Sequence, residues 1–129
     1  MSQFLTPLII SAVEDNNGIH LQSRLGQPLW IVSTKPFSYK SDYTGMVFRI
    51  PVGFITDFAS VPRVPFIYDN LGNIFPRPAL LHDFFYQSKI LKRKTADKVL
   101  IEAMKIDKIT PIRRWFVYVG VRIFGGSYY

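Results

Sequence analysis

Apolar positions along the chain fall into two rhythms. In the first part, short β-branched and aromatic runs stand between turn formers. Leu29-Trp30-Ile31-Val32-Ser33 and Met46-Val47-Phe48-Arg49-Ile50 are bounded by Gly26, Pro28, Pro36, Gly45 and Pro51, and both read as strands. Val52–Thr56 reads as a third strand. Leu8–Val13 and Ile19–Gln22 read as edge strands around the Asn16-Asn17-Gly18 turn signal. Prolines then punctuate residues 62–78, which read as a long irregular connection.

After that the period lengthens to that of a helix. Pro78, suited to a first helical turn, opens Ala79-Leu80-Leu81-His82-Asp83-Phe84-Phe85-Tyr86. A second helix, capped by Thr95, carries Ala96, Val99, Leu100, Ala103 and Met104 at core-facing spacing. Thr110-Pro111 announces a third, which ends at Gly125-Gly126. Its apolar residues Ile112, Trp115, Phe116, Val119 and Ile123 form one face, and Val117, Tyr118 and Val121 spread onto the other. The pattern predicts an α+β fold in one domain over residues 1–129: an N-terminal antiparallel sheet with three C-terminal helices packed on one face.

Polar residues interrupt this pattern at three places. His82 and Asp83 sit inside one of the most apolar stretches, where a carboxylate is costly unless paired, hydrogen-bonded or bound to metal. Successive helix positions point apart, so each needs its own partner, and Tyr86 shares the His82 face. Asp57, Ser60 and Arg63 alternate with apolar residues in Gly-Phe-Ile-Thr-Asp-Phe-Ala-Ser-Val-Pro-Arg (53–63). Asp97 follows in the first turn of the second helix. Each has a structural alternative: a helix-dipole partner for Asp97, a satisfied core pair for His82 and Asp83, a turn motif for Asp57 and Ser60.

Composition narrows the chemistry. With no cysteine, disulfide scaffolds, thiolate metal sites and thiol nucleophiles are excluded. Sixteen Lys and Arg against nine Asp and Glu give a net charge of +7, which favours acidic partners. The densest basic run, Lys89, Lys92, Arg93 and Lys94, carries no nucleic-acid-binding motif, so nucleic acid is not expected as a partner. The longest apolar run, Trp115–Val121, is too short to span a membrane, and no leader is visible in Met1–Thr6. The expected location is the cytoplasm.

Residues 53–63, Ala-Leu-Leu-His-Asp-Phe-Phe-Tyr (79–86), Thr-Ala-Asp-Lys-Val-Leu-Ile-Glu-Ala-Met (95–104) and Val-Gly-Val-Arg-Ile-Phe-Gly-Gly (119–126) together resemble an uncharacterised domain family of bacteriophages and prophages, domain of unknown function 1353. That resemblance covers roughly the last 80 residues. It implies a phage or prophage product, located in the bacterial host or built into the virion, and carries no activity with it. Locally, His-Asp-x-x-Tyr followed by Ala-Asp is similar to the catalytic pattern of phospholipase A2 folds. That likeness implies His82 as general base, Asp83 as calcium ligand, Asp97 orienting His82, and Tyr86 in support. The sequence departs from the pattern in lacking a full Gly-rich calcium loop; Tyr68-Asp69-Asn70-Leu71-Gly72-Asn73 is its nearest echo. Asp97 also follows Asp83 by only 14 positions.

The expected function is that of a hydrolase-like protein. His82 takes a proton from water, Asp97 or Asp57 fixes its tautomer, and Asp83 holds a divalent cation, Ca²⁺ or Mg²⁺. Ser60 and Arg63 contact an anionic substrate, and Tyr86 lines the same pocket. Two alternatives stand beside this one: a non-catalytic, tail-associated virion or assembly protein, and a modulator that binds a host protein. Self-association is expected through helix 111–124, whose apolar residues exceed what one small sheet covers.

Overall fold

A computed structural model describes residues 1–24, 26–58, 60–61, 75–127 and 129. The strands are short: β1 (Gln3–Phe4), β2 (Ile10–Ala12), β3 (Trp30–Val32), β4 (Phe37–Ser41), β5 (Met46–Ile50) and β6 (Ile55–Thr56). They form two antiparallel sheets instead of the single one expected, in the orders β1-β4-β5 and β2-β3-β6. The division falls between β3 and β4, where Thr34 takes a left-handed φ of 71° and Pro36 follows. A proline has no amide hydrogen to continue a ladder, so the chain leaves one sheet and enters the other.

β4 had no counterpart among the expected strands. Its burial nonetheless has period two: Phe37, Tyr39 and Ser41 are buried while Lys40 is exposed. The edge strand expected over 19–22 is reduced to the isolated bridges Glu14–His20 and Gln22–Pro28. Within Val52–Thr56, Val52 and Gly53 form a turn and only Ile55–Thr56 join the ladder.

Three helices complete the fold: α1 (Pro76–Ser88), α2 (Arg93–Ile106) and α3 (Pro111–Phe124). α2 begins two residues before Thr95, with Lys92 at its cap and no side-chain capping bond. α1 is buried at every position from Pro78 to Asp83 and again at Phe85 and Tyr86. A helix covered on so many sides is the centre of the fold. Phe48 of β5 meets Phe85 edge to face at 4.6 Å, and Tyr39 of β4 donates to Glu102 of α2 at 2.7 Å. The β1-β4-β5 sheet thus covers α1 and reaches α2. Gln87 near the end of α1 donates to the Ile55 carbonyl of β6 at 3.3 Å, which ties the other sheet to the same helix. Among the described residues, no helix is long and apolar enough to cross a membrane.

Candidate functional site

The polar residues of α1 are placed by its position between β6 and α2. On the α2 side, His82 Nε2 lies 2.6 Å from Asp97 Oδ1, and both side chains are fully buried. The same carboxylate accepts the Tyr86 hydroxyl at 2.5 Å on Oδ1 and an Arg122 guanidinium N–H at 2.8 Å on Oδ2. All three helices therefore converge on one acid. Burial alone pushes the Asp97 carboxyl up, but the bonds from His82, Tyr86 and Arg122 outweigh it and hold it below the usual carboxylate range. The reciprocal effect of Asp97 raises the Arg122 guanidinium. An ionised carboxylate only accepts, so a neutral His82 ring carries its proton on Nε2 and leaves Nδ1 as an acceptor.

Ser60 stands at that nitrogen, where its one hydroxyl proton serves either the ring or Asp83. Its Oγ lies 3.0 Å from His82 Nδ1, and the residue is 1% exposed. The turn after β6 brings it there. Thr56 Oγ1 accepts the Phe58 amide at 3.0 Å, and Phe58 adopts a left-handed φ of 59°. The result is a continuous line from Ser60 hydroxyl to His82 imidazole to Asp97 carboxylate.

Asp83, one residue on, faces the other way. Thr56 Oγ1 donates to its Oδ2, as does the Gln87 amide at 3.1 Å, and Ser60 is a further hydrogen-bond partner. Burial pushes the Asp83 carboxyl up, and the charge of Asp57 adds to that; the bonds from Thr56, Ser60 and Gln87 offset it only in part. The hydrogen-bond partners of Asp83 are hydroxyls and an amide, and among the described residues no three His, Cys, Asp or Glu side chains gather as a possible metal site.

Several expected residues thus take different places. Of the two acids expected to fix the His82 tautomer, Asp97 makes the bond to the ring. Asp57 acts on the site through its charge on Asp83. Ser60, expected to touch substrate, bonds the imidazole, and Tyr86 supports Asp97 with its hydroxyl. Arg63 lies outside the described residues. Thr56, Gln87 and Arg122 were not singled out in the sequence. Arg122 had a signal, a lone cation in the apolar run Val119-Gly-Val-Arg-Ile-Phe124. Gln87 had only its i+4 spacing from Asp83.

A family described as "Protein of unknown function (DUF1353)" matches residues 30–121. The chain belongs to this family. The match contains Ser60, His82, Asp83 and Asp97 and stops one residue before Arg122. No curated protein and no solved structure matches the chain.

Proposed function

We propose that this DUF1353 member is a phage- or prophage-encoded hydrolase in which Ser60 is the nucleophile, His82 its general base and Asp97 the group that orients the base. The single observation that carries this reading is the pair of bonds on the His82 ring, Ser60 at Nδ1 and Asp97 at Nε2. An acid-bound imidazole that accepts a serine proton is the arrangement acyl transfer needs. In that reaction Ser60 Oγ bonds to the acyl carbon as its proton passes to Nδ1. His82 then returns the proton to the leaving group, and a water repeats the sequence to release the acid. Tyr86 and Arg122 are positioning residues that keep Asp97 ionised. The phage setting rests on the sequence resemblance.

A serine-directed fluorophosphonate tests this. Covalent labelling of wild type at Ser60, lost in Ser60→Ala, is the expected result. No labelling of folded wild type contradicts it. Burial favours a second reading, in which the same cluster is a non-catalytic staple between sheet and helices of a virion or assembly protein. Ser60, His82 and Asp97 are each 1% exposed or less, and an approaching carbon must reach Ser60. Under that reading Ser60→Ala changes stability alone.

A further inference from the structure

The charge of the chain is not spread evenly. Residues 75–129 carry eleven Lys and Arg against four Asp and Glu, so the whole net charge of +7 lies in the helical half. Three of those four acids are engaged by protein groups: Asp97 by Arg122, Glu102 by Tyr39 and Tyr43, and Asp107 by Arg77. The fourth, Asp83, is buried. α3 itself contains three arginines and no acid.

The outer face of α3 is apolar. Ile112, Trp115 and Ile123 are 62%, 58% and 65% exposed, and Phe124 beside them is 64% exposed. Ile112, Trp115, half-buried Val119 and Ile123 form one stripe about 16 Å long at 1.5 Å per residue. At about 100° per residue, Arg113 falls on one side of that stripe, while Arg122 on the other is held by Asp97. Its far end adjoins the basic turn between α1 and α2. Tyr129 donates to the Leu91 carbonyl at 2.8 Å, Lys89 lies over the Tyr129 ring, and Arg93 reaches the Val121 and Arg122 carbonyls. At the near end Trp115 walls an open groove of about 460 Å³ rimmed by Lys98, Lys105 and Arg114.

A second copy of the chain is a poor occupant of this face, because two acid-free, arginine-bearing helices would repel on pairing. The complementary surface is anionic and accepts apolar side chains without offering a groove. We propose that α3 is an interfacial helix that seats the protein on an anionic phospholipid surface. Ile112, Trp115 and Ile123 enter the boundary of the acyl region, and Arg113 and the neighbouring Lys side chains contact the headgroup phosphates. This stands independently of the hydrolase reading.

Co-sedimentation with vesicles tests it, using full-length protein. Binding is expected to vesicles of equimolar phosphatidylglycerol and phosphatidylcholine and not to phosphatidylcholine alone. The double variant Ile112→Ser/Ile123→Ser, both positions solvent-exposed, should keep the wild-type melt and weaken binding by about tenfold or more. The variant Lys105→Glu/Arg113→Glu should lose binding at low salt. Three results would overturn the proposal: no binding to anionic vesicles, binding unaffected by the serine pair, or a dimer in light scattering that the serine pair dissociates.

Discussion

Gly125 lies against the tyrosine that supports the buried acid: a Cβ placed on it would stand 2.8 Å from Tyr86 Oη and 3.3 Å from Cε2. Its φ of −68° is open to any residue, so the glycine serves space and not backbone conformation. Gly125→Ala should therefore push Tyr86 away from Asp97 and destabilise the protein by about 1–3 kcal/mol. Urea denaturation checks this. In a Tyr86→Phe background, where the crowded oxygen is gone, the cost of Gly125→Ala should shrink.

Asp97 should dominate acid sensitivity. Its carboxyl is held below the usual range in the fold, so between that depressed value and about 3.9 the unfolded chain binds more protons than the native one. Stability from this group is present above that window and is lost as pH falls through it. Asp97→Ala leaves His82 and Arg122 without their partner and should cost about 3–5 kcal/mol near neutral pH. Denaturation midpoints across the acid range should show a shallower acid loss in the variant.

Asp83 should behave with the opposite sign. Its carboxyl is raised by burial, so between about 3.9 and that raised value the native state holds more of the proton than the unfolded chain. Its contribution to stability falls as pH rises from about 3.9 toward the raised value. Asp83→Asn keeps an acceptor for Thr56 and removes that loss. It should match or exceed wild-type stability at neutral pH, with the advantage fading in acid. Added Ca²⁺ or Mg²⁺ should leave the wild-type melt unchanged.

The helices were legible because their signals are local. Thr110-Pro111 marks the start of α3, and the stripe from Ala96 to Met104 gives the buried face of α2. The sheets were less so, because which strand pairs with which depends on distant contacts, such as Gln3 with Lys40 or Trp30 with Thr56. At the site, a buried His-Asp pair announces that partners exist but not who they are. Asp97 is legible from its place in the first turn of the second helix and from a resemblance. The bonds of Ser60 to the ring and of Arg122 to Asp97 span 22 and 25 positions, beyond any periodicity.

The central claim is that His82 accepts at Nδ1 and donates at Nε2, and ¹⁵N NMR of histidine-labelled protein tests it most directly. The chain has two histidines, and His20→Gln leaves only His82 in the spectrum. For the neutral ring, the account predicts a bare, hydrogen-bonded Nδ1 and a protonated Nε2. Ser60→Ala should then shift the Nδ1 resonance and leave Nε2 protonated. A ring protonated at Nδ1, whether as the other tautomer or as an imidazolium, would contradict the account, because Ser60 would then have no base to receive its proton.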